Sequence, residues 1–184
     1  MPPSDRARFY AEKQTVPFHV VLVEPEIPPN TGNVARLCAA TACTLHLVGK
    51  LGFRTDEHAV RRAGLDYWHL VDVKSAATLS EAEASVRAAA ANLGREPSLW
   101  LFSGRATKSY LDVRFRAGDA LVFGKESTGL PEELLRDHTD RVVAIPMLGA
   151  VRSLNLANSV AIALYEALRQ TRALEVARLR APSE

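Results

Sequence analysis

From Phe18 onward, short β-branched apolar runs alternate with longer stretches of helical periodicity. The runs predict strands at His19–Glu24, Leu45–Val48, His69–Val73, Leu99–Ser103, Ala120–Phe123 and Val142–Ile145. The longer stretches predict helices at Thr31–Thr41, Asp56–Arg62, Leu79–Asn92 and Pro131–Arg136, and a long one from Leu156 to about Arg178. Alternation of this kind predicts an α/β fold, a mostly parallel sheet with helices on both faces. The last helix carries Leu156, Val160, Ala163, Leu164, Ala167 and Leu168 on one stripe, with Tyr165 beside it. Such a stripe covers a sheet. Its width also suits a symmetric homodimer, in which one patch meets itself.

Three strand ends share a signature. Strand His19–Glu24 runs into Pro25-Glu26-Ile27-Pro28-Pro29-Asn30-Thr31-Gly32-Asn33, and Leu121-Val122-Phe123 into Gly124-Lys125-Glu126-Ser127-Thr128-Gly129. Ile145-Pro146-Met147 leads into Arg152-Ser153-Leu154-Asn155-Leu156. In parallel sheets, ligands bind at such strand ends, facing backbone groups and helix N-termini. The three loops are therefore read as one composite site.

Composition narrows the class. The 184 residues suit a single domain, 18–184, preceded by a loosely held, flexible extension over 1–17. Hydrophobic content of 47% and mean hydropathy of -0.05 are those of globular proteins. There is no apolar signal region, and no run approaches the ~20 residues of a membrane helix, so a cytoplasmic protein is expected. Cys38 and Cys43 are read as small buried hydrophobes, and no metal site is expected. A net charge of +2 permits RNA binding without arguing for it. Arg54, Arg61 and Arg62 cluster, as do Arg105, Lys108, Arg114 and Arg116. Solvated faces and phosphate contacts are both open for them.

Several chemistries lack their residues. No Gly-x-Gly-x-x-Gly follows a strand, and Gly124-Lys125 lacks both the upstream glycine and the Ser/Thr of a P-loop. No nucleophile elbow or His-Glu-x-x-His helix is present. His19, His46, His58, His69 and His138 are scattered. What remains is a site of backbone amides, Asn, Ser, Arg and one Glu, suited to a cofactor that brings its own reactivity.

Three motifs carry a resemblance. Asn30-Thr31-Gly32-Asn33-x-x-Arg36, Phe123-Gly124-x-Glu126-x-x-Gly129-Leu130-Pro131 and Ile145-Pro146-Met147…Ser153-Leu154-Asn155-Leu156 resemble those of the SPOUT RNA ribose methyltransferases, in order and strand context. The resemblance spans about Phe18 to Gln170. It implies a deep C-terminal trefoil knot, in which the segment from roughly Gly124 to Asn155 threads a loop. Glu24 to Asn33 and Arg61 to Trp68 are similar to a branch that 2'-O-methylates the wobble nucleotide, C34 or U34, of leucine tRNAs. The extension before Pro17 departs from that branch and leaves two readings open, a disordered tail and an added RNA contact.

The resemblance also implies residue roles. S-adenosyl-L-methionine would contact Phe102, Ser103, Gly104, Gly124, Glu126, Gly129, Ile145, Leu148, Ser153 and Leu154, with Phe102, Ile145 and Leu154 sandwiching the adenine. Arg36, Asn33, Glu126, Ser153 and Asn155 would form the catalytic set. Arg36 is assigned the central role; because a guanidinium stays protonated, fixing a phosphate and stabilising a developing alkoxide suits it better than acting as a base. Asn33 would cap or brace its loop. Glu126 would hold the loop through backbone amides or balance the sulfonium, with the first preferred. Arg54, Arg61, Arg62, Arg105 and Lys108 would contact the tRNA anticodon loop, and Tyr165 would support a homodimer through the C-terminal helix. The competing readings are another tRNA position or rRNA as target, and a knotted RNA-binding protein without catalysis.

Overall fold

The structure, a computed structural model, describes residues 8–11, 17–52, 68–175 and 178–180. Its strands are β1 (Arg8–Tyr10), β2 (His19–Val23), β3 (Thr44–Val48), β4 (Val73–Ala76), β5 (Leu99–Phe102), β6 (Ala120–Phe123), β7 (Val142–Val143) and β8 (Arg178–Arg180). The α-helices are α1 (Pro28–Thr41), α2 (Leu79–Ala89), α3 (Glu132–Asp137) and α4 (Leu156–Gln170). Six strands form one parallel sheet in the order β4-β3-β2-β6-β5-β7. Strands β1 and β8 pair antiparallel as a separate ribbon.

Burial explains why the central strands read as unbroken apolar runs. All five residues of β3 and all four of β6 are buried, as expected where helices cover both faces. Phe18, Val20, Leu22, Val34, Leu121, Val160 and Leu164 form one core layer with α1 and α4. Val21, Val48, Ala82, Val86, Val122 and Val142 form the other beneath α2 and α3. Cys38 and Cys43 are buried and free, and burial pushes both thiols up. The α4 stripe lies wholly in the first layer of its own chain. Only its flank, Ile162 and Tyr165, stays exposed.

Helix ends follow local chemistry. Helix α1 opens on Pro28 and Pro29, whose missing N–H groups would find no partner in a first turn. Helix α2 has a reciprocal cap: the Thr78 side chain accepts from the Glu81 amide, and the Glu81 carboxylate from the Ala77 amide. Helix α4 ends at Gln170, eight residues short of the predicted Arg178. Arg172 takes a left-handed φ of 58°, the Ala173 amide bonds the Leu168 carbonyl, and the Arg172 amide bonds that of Arg169. This is a Schellman closure on a residue other than glycine, which hydrophobic periodicity does not register.

The third predicted strand also shifts. His69 lies in a 3-10 turn, Trp68–Leu70, closed by the Val71 amide on the Trp68 carbonyl; the strand that pairs β3 is Val73–Ala76. An apolar run that caps a helix face looks like a strand when read alone. Strand β7 is shorter than predicted, with Ala144 bridging Ser109 beyond it. The predicted helix Asp56–Arg62 lies outside the described residues. Of the predicted extension, Arg8–Tyr10 stands in β1.

Candidate active site

The sheet reverses direction of growth between β2 and β6: β3 and β4 extend one side, β5 and β7 the other. Ligands of open α/β sheets bind at such a switch point, beyond the carboxyl ends of the strands. A cavity of about 560 Å³ lies there. Its walls come from Ile27 and Asn30 after β2, Ser103 to Arg105 after β5, Gly124 to Gly129 after β6, and Arg152 to Leu156 leading into α4. Segments 125 residues apart in sequence thus share one wall, where Asn155 donates to the Asn30 side chain at 3.0 Å.

Glu126 draws these loops together. Its carboxylate accepts from the Glu26 amide at 2.9 Å, the Ile27 amide at 3.3 Å and the Asn30 side-chain amide at 2.8 Å. Ile27 is the N-cap of α1 and has no side-chain cap of its own. Glu126 therefore brings a negative charge to the positive end of that helix from a distant loop. The contact is reciprocal, because the Ser127 amide donates to the Glu26 carboxylate at 3.1 Å. Beside it, Lys125 pairs with Glu24 at 2.8 Å, and that contact raises the lysine pKa. Glu24 itself holds a left-handed φ of 49° at the end of β2, a strained conformation of the kind that collects at functional sites.

Asn155 has two duties. Its side-chain oxygen accepts from the Ala157 and Asn158 amides as the N-cap of α4, while its nitrogen reaches Asn30. Asn30 is the residue that sequence reasoning passed over. It is buried, and it bonds both Glu126 and Asn155. Its place at the head of the first motif, three residues before Asn33, is the sequence signal for this role.

Gly124 and Gly129 are required by backbone geometry. A Cβ on Gly124 would stand 2.1 Å from the Gly129 carbonyl carbon and 2.2 Å from the Leu130 nitrogen. The loop closes on itself there, with the Gly129 amide bonded to the Lys125 carbonyl. Gly129 has φ of 75°, which a side chain would resist.

The structure brings together most of the predicted residues. Phe102, Ser103, Gly104, Gly124, Glu126, Gly129, Ser153, Leu154 and Asn155 all line the cavity. Phe102 lies mainly in the core, stacked on Phe123 with ring centroids 4.6 Å apart, which leaves little of it for a ligand. Ile145 is half-buried against the first core layer, and Leu148 is fully exposed; neither lines the cavity. Asn33 and Arg36 sit three residues apart on the exposed side of α1, also outside the cavity wall. Asn33 is within the helix and not its cap. Arg54, Arg61, Arg62 and His58 lie outside the described residues. Arg105 is at the rim, paired with Glu132, and Lys108 sits 5.7 Å above the Trp100 ring. His19 and His46 are buried in the sheet, His69 and His138 exposed. Among the described residues no cluster of His, Cys, Asp and Glu could hold a metal, and no helix is long and apolar enough to cross a membrane.

The profile of the SpoU rRNA Methylase family matches residues 17–165, most of the chain and every loop of this cavity. The chain belongs to the SpoU methylase family. Its relatives in that family include the tRNA (cytidine(34)-2'-O)-methyltransferase of Saccharophagus degradans, 46% identical over 154 residues, covering 83% of this chain and 95% of that protein. A solved structure concerned with 2-OH methylation of C/U34 on tRNA superposes with a TM-score of 0.74 at 44% identity, covering 85% of this chain and 97% of that one. An AdoMet-bound rRNA methyltransferase from Sinorhizobium meliloti superposes with a TM-score of 0.67 at 26% identity, covering 83% of this chain and 56% of that one. The SpoU fold thus extends over the parallel sheet and the cavity, while β1 and β8 fall outside the matched residues.

Proposed function

We propose that this SpoU methylase transfers a methyl group from S-adenosyl-L-methionine to the ribose 2'-hydroxyl of nucleotide 34 of tRNA, with leucine tRNAs as substrates. The observation that carries this reading is the convergence of three motif loops on one cavity, clasped by Glu126. The named activity of a relative at 46% identity supports the target position.

The cavity suits the cofactor. Its volume falls in the usual range for small-ligand sites, about 300–1,000 Å³. Leu154, Leu156 and Ile27 offer apolar surface for a nucleoside, Gly104, Gly124 and Gly129 bare backbone groups, and Arg105 and Arg152 cationic partners for a carboxylate. When bound, the cofactor supplies an electrophilic sulfonium methyl. The chain's own task is then to hold the ribose hydroxyl in line and favour its oxyanion. Ser153 and Asn155 stand where the wall is polar. Arg36, on the exposed side of α1 beyond the wall, fits the adjoining phosphate better than the cofactor. Glu126 is a positioning residue, its oxygens already engaged by three donors.

The proposal includes three further features. Residues from about Gly124 to Asn155 thread a trefoil knot; β7 lies at the sheet edge, yet the following segment returns so that α4 packs on α1 and central β6. The enzyme works in the cytoplasm on the anticodon loop, whose single-stranded bases can be read directly. It acts as a homodimer through the flank of α4, where Ile162 and Tyr165 remain exposed.

The test is incubation with leucine tRNA unmodified at position 34 and methyl-labelled S-adenosyl-L-methionine, with the label mapped by nucleotide. Label on ribose 34, lost in Arg36→Ala, is expected. Label at another position overturns the target assignment while leaving the chemistry. No label, with the cofactor bound, overturns the activity.

A further inference from the structure

Three loops stand side by side beyond the strand ends, because β3, β2 and β6 are neighbours in the sheet. The middle one, residues 25–27, is held from both sides. On the cavity side Glu26 gives its amide to Glu126 at 2.9 Å, and its carboxylate accepts from the Ser127 amide at 3.1 Å. On the other side lies the turn after β3, residues 49–52. Its Gly52 amide donates to the Pro25 carbonyl at 3.0 Å.

Gly52 makes this approach without a side chain. A Cβ there would stand 2.9 Å from the Glu26 Cα, 2.9 Å from its carbonyl oxygen and 3.3 Å from its carbonyl carbon. All three atoms are backbone, so no change of rotamer relieves the overlap and the chain itself must shift. Gly52 does not lie in the left-handed region. Space alone excludes a side chain from this position.

Which side of the contact gives way follows from how each is anchored. In the β3 turn, Leu51 packs on the first core layer and the Gly49 amide bonds the Ala76 carbonyl at 2.9 Å. Glu26 is exposed, and the bonds that tie it to the β6 loop are ones that water can replace. A group pressed onto the Glu26 backbone therefore moves Glu26, and with it the amide that Glu126 accepts. Glu126 and Ser127 line the cavity, whereas Gly52 and Glu26 do not.

We infer that Gly52 is a positioning residue for methyl transfer: its bare Cα seats the β3 turn against Glu26 and so sets the Glu26–Glu126 contact that shapes the cavity. This rests on the proposed methyl transfer and adds to it a residue outside the cavity wall.

The experiment is a double-mutant cycle on the full-length protein with Gly52→Ala and Glu126→Gln. S-adenosyl-L-methionine affinity decides it, with kcat on leucine tRNA and the thermal midpoint read alongside. Gly52→Ala is expected to weaken cofactor binding about tenfold and to lower kcat at saturating cofactor by a similar factor, within the roughly 10²-fold that a 1 Å misplacement costs. The midpoint should fall by no more than about 4 °C. In the Glu126→Gln background the same alanine should cost less than about twofold in affinity, because the contact it acts through is already loosened. Losses that multiply across the cycle overturn the inference. So does a larger fall in the midpoint, which would make Gly52 a residue of the fold. Wild-type affinity in Gly52→Ala overturns it too, since the turn then yields in place of Glu26. Failure of the proposed function looks different: the wild-type enzyme itself leaves ribose 34 unlabelled, while the affinity cycle still reports on the contact.

Discussion

Asp119, just before β6, and Glu126, just after it, each gather donors from separate segments. Asp119 accepts from the Arg95 guanidinium at 2.9 Å, the Ser98 and Arg116 amides at 3.0 Å and the Trp100 ring N–H at 3.3 Å. It is fully buried. Glu126 accepts from two amides and Asn30 and stands half-buried on the cavity wall. The chemistry is the same and the consequence differs. A carboxylate sealed in with its cation holds the fold, because removing it strands charge and donors away from water. A carboxylate at the cavity edge holds the shape of a site, and water can replace part of what it provides.

The largest effect is expected at the buried carboxylate. Asp119→Ala should cost roughly 3–5 kcal/mol, the usual price of leaving one member of a buried pair alone. Urea denaturation measures it. Folded protein at low temperature should still bind S-adenosyl-L-methionine. An unfolding midpoint close to wild type would mean that Asp119 is no more structural than Glu126.

Gly124→Ala comes next. The added methyl meets backbone and not a movable side chain, so the loop must open, at about 1–3 kcal/mol. Methyl transfer should fall by far more than stability does. Glu126→Gln follows: it keeps the shape, loses the charge and places a donor against donors. Hydrogen bonds to charged groups contribute about 1.5–3 kcal/mol, and part of that should be lost. The kcat/KM value should drop on the order of 10²-fold through misplacement of the loops. Equal fractional losses of stability and activity would place Glu126 with Asp119.

Legibility in the sequence follows the same division. The parallel sheet and the cavity loops were readable because buried strands leave unbroken apolar runs, and tight loops leave glycines such as Gly124 and Gly129. The end of α4 was not, since a Schellman turn at Arg172 uses a residue that looks helical. Nor was Asn30. A residue whose partners are Glu126 and Asn155, about a hundred residues away, carries no local mark of that role. The ribbon was hidden too, because three-residue strands rich in arginine resemble a solvated tail.

A pH titration sharpens the contrast between sealed and open groups. His19 Nδ1 and His46 Nε2 lie 3.0 Å apart, buried on neighbouring strands. Only one of the two can carry the shared proton, so the outer nitrogens, which find no protein partner, include one donor and one acceptor. Burial lowers both pKa values to about 4. The unfolded chain titrates near 6.5 and binds more protons between these values. Stability from the pair is therefore fully present above about pH 6.5 and is lost as pH falls toward 4, with a slope of at most ~1.4 kcal/mol per pH unit for each histidine. Denaturant melts from pH 7 to 4 should show the decline, and His46→Phe should flatten it. A slope that His46→Phe leaves untouched would assign the acid sensitivity elsewhere.

The smallest effect is expected next door to Glu126. Lys125 pairs with Glu24 through one contact of 2.8 Å, and both side chains keep a third or more of their exposure. Solvent and salt screen such a pair, so its net contribution is small. Lys125→Met should leave the melting midpoint within the scatter of replicates and methyl transfer within about twofold of wild type, the ordinary result for a screened ion pair. Glu24 should tolerate the loss as well, because its left-handed conformation is also held by its amide bond to the Val48 carbonyl. Neighbouring residues in one loop would then differ in effect by an order of magnitude or more, according to what each touches. If Lys125→Met instead damages activity as much as Glu126→Gln, the loop acts as a rigid unit, and the number of donors on Glu126 is not what makes it matter.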